Sequence, residues 1–103
     1  MARVDWAESA VSALDQLILS HSLPTDTRRR VKSSLRPLER FARIGPEITR
    51  LADGKELRFV IGPWPWLVIV YLNDEAVDQV IVVSPEDGRS ATSTIARQRP
   101  QLQ

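Results

Sequence analysis

The chain has 103 residues, of which 43% are hydrophobic and 26% charged, and its formal net charge is +1. That length and apolar content suit one soluble globular domain with a real core and leave no room for a second, and a charge this near zero does not by itself suggest a nucleic-acid binder. The absence of cysteine excludes disulfides, thiolate metal sites and a cysteine nucleophile, and no apolar run approaches the ~20 residues of a membrane-spanning helix. The opening MARVDWAESA lacks a charged-then-apolar signal pattern. The expected location is therefore the cytoplasm, with no membrane contact.

In chain order, Ala2 to Asp5 reads as a short strand. Asp5 followed by Glu8 resembles a capping box at the start of a helix. From Trp6 to Ser20, the residues Trp6, Ala10, Ala13, Leu14, Leu17 and Ile18 fall on one helical face. This helix should end near His21, before Pro24. Thr25 or Asp26 can cap a second helix, whose apolar face is Val31, Leu35, Leu38 and Ala42. Pro37 should kink that helix or start a new one, since it has no amide proton to donate and collides with the preceding turn. Gly45-Pro46 ends the helical half.

The character then changes. Glu47 to Leu51 reads either as a short strand or as a turn of helix, and Asp53-Gly54 is a turn. Leu57, Phe59 and Ile61 alternate with Arg58 and Val60, the period of a strand with one core face. Trp66 to Leu72 is apolar throughout, as expected of a central strand covered on both faces. Val77 to Val83 is a third strand of the meander, with Val77, Ile81 and Val83 on one face and Asp78, Val80 and Val82 on the other. Gly62-Pro63 and Asn73-Asp74 supply its turns. Pro85 to Gly88 reads as a loop, and residues 90–103 as a flexible polar tail following a single domain over 1–89. The expectation is an α+β domain: an N-terminal helical hairpin, with or without a short strand before it, packed on a twisted antiparallel sheet of three to four strands.

Charge distribution says more than charge sum. From Arg28 to Arg43 there are seven basic residues against one acid, Glu39. Arg28, Lys32, Arg36 and Arg40 recur every four residues and so share one helical face. Such a stripe is either a solvated face or a contact surface for RNA or an acidic protein segment. The one histidine, His21, sits at a helix end where a cation suits the helix dipole, and no Ser–His–Asp arrangement is legible around it. With a single His and no Cys, no transition-metal site is expected, nor any cofactor.

The order of elements and several segments resemble the RelE/ParE toxin superfamily. VDWAESAVSALDQLI is similar to that family's opening, a strand running through Trp into an Ala-rich first helix. ELRF, a turn and VIVY are similar to its E-L-R and Tyr strand pair. VIVVSPEDGRS lies where the family's last strand runs into its basic loop. The resemblance covers roughly Ala2 to Ser90. It implies a toxin of a type II toxin–antitoxin pair, bound by a cognate antitoxin and forming an oligomer with it. The function it implies is inhibition of growth by ribosome-dependent cleavage of mRNA in RelE fashion, with DNA gyrase, bound without catalysis in ParE fashion, as the alternative target. A non-toxic relative that only binds the antitoxin is a further option.

Under the nuclease reading the resemblance assigns catalytic roles to Arg58, in the E-L-R position, and Arg89, in the loop after the last strand. Arg50 and Lys55 could flank the same surface. RNA cleavage by the 2′-hydroxyl needs a base, an acid and cationic stabilisation of the transition state. This chain departs from the family pattern in ways that bear on that chemistry. It is apolar around Leu67 or Val68, where such nucleases carry an arginine. No Tyr or His follows the last strand, and Glu86-Asp87 makes the loop acidic. Arg58 and Arg89 are therefore either catalytic or structural. Trp64, beside Pro65 and Trp66, is either an aromatic anchor for a partner or a cover for the core edge. Tyr71 is expected to pack in the sheet.

Overall fold

The sheet is assembled around the most apolar segment of the chain. A computed structural model describes residues 1–89, and the expected tail 90–103 lies outside the described residues. The elements are β1 (Arg3–Trp6), α1 (Glu8–Ser20), α2 (Thr27–Ser34), a 3₁₀ turn (Arg36–Glu39), β2 (Glu47–Arg50), β3 (Glu56–Ile61), β4 (Leu67–Asp74), a second 3₁₀ turn (Glu75–Val77) and β5 (Gln79–Asp87). The strands form one five-stranded sheet in the order β1-β5-β4-β3-β2. β2, β3, β4 and β5 are an antiparallel meander, and β1 adds in parallel to β5. The α+β class and the leading strand and helical hairpin are as expected. The sheet is larger than the three to four antiparallel strands expected, and it is mixed, because β1 returns to the far edge by a parallel pairing.

β4 occupies the centre, and Leu67 to Tyr71 are buried in succession. One face of the sheet carries Leu67, Ile69 and Tyr71 of β4 with Val80 and Val82 of β5, packed against Ala10 and Leu14 of α1, Val31 of α2, and Leu35 and Leu38. Burial of these side chains drives association of hairpin and sheet; truncating one such Leu to Ala costs about 2–5 kcal/mol.

Several local expectations give way to tertiary pairing. Trp6 ends β1 rather than beginning the helix. Ala7 takes the N-cap position without a side-chain bond. Asp5 is no capping residue, because its carboxylate accepts from Arg3 Nε (2.7 Å) and Gln79 Nε2 (2.9 Å). α1 closes with Ser22 at φ 51° and with Leu23 N–H donating to the Ile18 carbonyl, a left-handed C-terminal motif. Asp26 stands at the N-cap of α2 but makes no capping bond; it pairs with Arg29 and Arg30 instead. Pro37 starts a new 3₁₀ turn, as one of the two expected outcomes.

The last strand is displaced from its expected bounds. Asn73 and Asp74 belong to β4, and the reversal falls on Glu75 to Asp78, with Asp78 in the left-handed region at φ 52°. Val77 is therefore an exposed turn residue. β5 runs on through Pro85 to Asp87, where the sequence predicts a loop. Val70 pairs with Ser84 and Tyr71 with Val82, so Val83 is a bulged extra residue. The bulge restores Pro85 to the covered face, where it is buried. Among the described residues β1 pairs only with Gln79 to Val82 and β5 beyond them is an edge, where a proline costs no ladder bond.

Candidate functional site

Arg58 lies on the helix-covered face of β3, in register with Tyr71, and only 12% of its side chain is exposed. Its Nε donates to Glu56 (2.9 Å), and its Nη1 donates to the Gly45 carbonyl (2.6 Å). Glu56 is the centre of this end of the sheet. Its buried carboxylate accepts from Arg43 (2.6 Å), Arg50 (2.7 Å), Arg58 and Asn73 Nδ2 (2.9 Å). Arg43 and Arg58 above all, with Asn73 behind them, hold the Glu56 carboxyl well below the usual carboxylate range against the opposing effect of burial. A carboxylate this enclosed is stable only when fully paired. The pairing ties the segment before β2 to β3 and β4.

Tyr71 completes the tie. Its hydroxyl donates to the Ala42 carbonyl (2.7 Å) and accepts from Gly45 N–H (3.2 Å), and burial pushes its pKa up. Gly45 is required here because a Cβ would overlap the Phe59 carbonyl.

Arg89 lies elsewhere. Its guanidinium binds Asp87 through Nε (3.0 Å) and Nη2 (2.9 Å) and sits 5.2 Å from the Trp66 ring centroid. His21 stacks on Trp66 at 4.6 Å, and its Nε2 lies 3.2 Å from Asp87. Arg89 first, then His21, keep the Asp87 carboxyl well below its ordinary range. An ionised carboxylate only accepts, so His21 Nε2 carries the proton. Ser20 Oγ lies 3.1 Å from His21 Nδ1, so a Ser–His–Asp row does form where the sequence offered none. Ser20 is exposed at the C-terminus of α1, where carbonyl oxygens converge and would repel an oxyanion. The row is a clasp between α1 and the β4–β5 end of the sheet.

Arg58 and Arg89 do not converge. Arg58 is level with Tyr71 and Asp87 with Leu67, on the two strands flanking β4. At about 3.3 Å per residue and about 4.8 Å per strand, Arg58 and Asp87 are roughly 16 Å apart. Lys55 reaches Asp53 (3.3 Å), on the Arg50 side. Trp64 stacks on Trp66 at 6.3 Å and packs half-buried against the core, as a core-edge cover would.

The basic stripe divides. Arg28 binds Asp15 of α1 (2.6 Å), and Arg29 and Arg30 bind Asp26 (3.0 Å each). Lys32, Arg36 and Arg40 are exposed and carry no ion pair among the described residues. Lys32 and Arg36 flank a cleft floored by Val4, Trp6 and Leu35; Arg40 lines a separate groove with Asn73 and Glu75. Sequence reasoning did not find the roles of Glu56, Arg43, Asp87 and Asn73. The available signal was parity: Glu56 and Arg58 share one face of β3.

Among the described residues no group of His, Cys, Asp and Glu gathers that could hold a metal ion, and no helix is long and apolar enough to cross a membrane. The sequence matches no protein-family model and no curated protein. The fold does have a solved counterpart: a chain of the archaeal RelE–RelB complex from Pyrococcus horikoshii OT3 superposes with a TM-score of 0.54, over 86% of this chain and 98% of that chain, at 17% identity. The fold is RelE-like.

Proposed function

We propose that this chain is the toxin of a toxin–antitoxin pair, held by a partner protein, and that it inhibits growth by binding its target rather than by cutting RNA. The observation that carries the toxin reading is the near end-to-end likeness to a chain of the RelE–RelB complex. The location expected for such a protein is the cytoplasm.

The binding mode rests on the fate of the cations. Cleavage of mRNA on the ribosome would use Arg58 and Arg89 to stabilise a phosphorane-like transition state. Arg58 is committed to Glu56 and the Gly45 carbonyl. Arg89 is committed to Asp87, an acid that disfavours a phosphate beside it. The tyrosine and the histidine that could act as acid or base are engaged too: Tyr71 is buried and doubly hydrogen-bonded, and His21 is clasped to Asp87. Of the targets implied by the resemblance, DNA gyrase fits a protein that acts by contact alone. The remaining reading, a non-toxic partner-binding relative, differs from this one in a single phenotype.

Induced expression without the partner should arrest growth, and purified chain should lower supercoiling by purified gyrase. Normal growth under induction removes the toxin reading; arrest with unimpaired gyrase removes that target.

A further inference from the structure

The exposed apolar side chains are unevenly spread over the molecule. Strand register puts the β2–β3 turn, the β4–β5 turn and the start of β1 at one end of the sheet: Arg50 pairs with Glu56, Glu56 with Asn73, and both Asp74 and Arg3 with Gln79. The loop before β2 is tied to the same end by Arg43, which donates to Glu56 (2.6 Å) and lies 3.3 Å from Glu75. Among the described residues, five of the seven large apolar residues that stand exposed lie at this end: Met1, Phe41, Ile44, Leu51 and Val77. The other two, Leu19 and Ile61, lie on the last turn of α1 and at the far end of β3. A lone exposed hydrophobic residue needs no explanation, whereas a gathering of them marks an interaction surface. Phe41, Ile44 and Val77 are 60%, 59% and 63% exposed.

A groove runs between the loop and the β4–β5 turn. Arg40, Phe41 and Arg43 line it from the loop, and Glu75 and Asp78 from the turn. Phe41 and Arg43 also line an adjoining recess with Ile44. The charges here are of both signs and incompletely matched. Arg40 is exposed and carries no ion pair among the described residues. Asp78 pairs among them only with the Met1 amine, at 3.5 Å, and Glu75 only with Arg43; the two acids stay 67% and 66% exposed. We infer that this end of the sheet, with Phe41, Ile44 and Val77 at its centre and Arg40, Glu75 and Asp78 around them, is the interface of a twofold homodimer. A twofold axis lays a surface on its own copy, so that if one residue meets another, the reverse contact forms as well. Apolar groups always suit that operation. Charges suit it only where both signs are present on separate elements, as Arg40 on the loop and the acids on the turn are. The rotation sets Arg40 of each copy towards Glu75 and Asp78 of the other and brings the Phe41 and Ile44 side chains together around the axis. A nucleic acid or an anionic bilayer is the poorer occupant, because each sets negative charge against Glu75 and Asp78. The inference does not rest on the toxin reading.

Sedimentation velocity of the full chain, over a concentration series reaching about 1 mM so that weak association registers, reads the oligomeric state. The chain should show a monomer–dimer equilibrium. Phe41→Asp should weaken dimerisation at least tenfold, as loss of a central aromatic anchor does. Its side chain is exposed, so the variant should keep its fold, with circular dichroism as the check. Arg40→Glu and Glu75→Lys should each weaken the dimer as well, because each sets like charges against one another across the axis. An equimolar mixture of these two variants should recover it, since in the mixed dimer both reciprocal contacts again join opposite charges. Misfolding of either variant cannot imitate that recovery. A chain that stays monomeric throughout the series, a dimer indifferent to Phe41→Asp, or a mixture no more associated than its components would overturn the inference. So would binding of the monomer to phosphatidylcholine–phosphatidylglycerol vesicles that Phe41→Asp abolishes, which would give the surface to a lipid bilayer. Growth under induction is read separately: a dimer with normal growth keeps the interface and removes the toxin reading, and arrest by a monomeric chain does the reverse.

Discussion

The two edges of the sheet use basic side chains in opposite ways. At the β2–β3 edge, Arg43, Arg50 and Arg58 turn inward onto one buried carboxylate, Glu56. At the β1 edge, Lys32 and Arg36 carry no ion pair among the described residues and line a cleft with Val4, Trp6, Leu35 and Glu39. The difference comes from the acids, not the bases. A carboxylate buried beside Asn73 must be neutralised by whatever cations reach it, and those cations are then lost to function. A count of arginines says how much charge a chain has; the positions of its carboxylates say how much is left for a partner.

The largest expected effect is at the closed edge. Glu56→Gln removes the counter-charge of three arginines and should destabilise the fold by about 3 kcal/mol, the low end for a broken buried ion pair because Arg43 and Arg50 can rehydrate. Urea unfolding measures it, and a loss under ~1 kcal/mol would mean the cluster is no more than a surface network. The same carboxylate sets the acid limb of stability. Glu56 and Asp87 have folded pKa values below their unfolded values of about 4.3 and about 3.9. Their stabilisation is complete above about pH 5 and is lost as pH falls through that range towards the folded values. Denaturation midpoints should therefore drop below pH 5, and Glu56→Gln should flatten that slope.

Next in size is Tyr71→Phe, which leaves the Gly45 amide and the Ala42 carbonyl without their partner. It should cost about 1–2 kcal/mol, with faster hydrogen exchange at Gly45 as its local signature. Arg28→Ala, removing an exposed pair with Asp15, should lower stability less than Tyr71→Phe does, and the effect should vanish in high salt. Smallest is the open edge: Lys32→Ala and Arg36→Ala should shift stability by no more than ~0.5 kcal/mol. A larger shift at either position would erase the contrast between the edges.

The sequence showed those features that depend on local period. β3 and β4 announced themselves by alternation and by an unbroken apolar run, and the hairpin by its helical stripes. The parallel pairing of β1 was not legible, because Arg3 meets Gln79 across most of the domain and no local signal marks that closure. Pro85 to Gly88 reads as a loop because a proline's tolerance in a strand depends on which strand lies beside it. The candidate residues followed the same rule. Arg58 stood out by its strand position, but its fate depended on Glu56, two residues away on the same face, and on Arg43, which joins it from the covering loop. His21 looked isolated until the β5 extension brought Asp87 beneath it. The basic stripe does not stay on one helix face: Arg28 and Lys32 lie on α2, Arg36 in the 3₁₀ turn that Pro37 starts and Arg40 beyond it, and only the position of Asp15 shows that Arg28 is neutralised.

The most direct test of the central claim, a toxin that binds and does not cut, is mapping of mRNA 5′ ends in cells arrested by induced expression of the chain, beside cells expressing Arg89→Ala. Arg89 is exposed and its loss spares the Glu56 cluster. The account predicts growth arrest with messages intact in both. New 5′ ends at codon positions that appear with the chain and disappear with Arg89→Ala would contradict it.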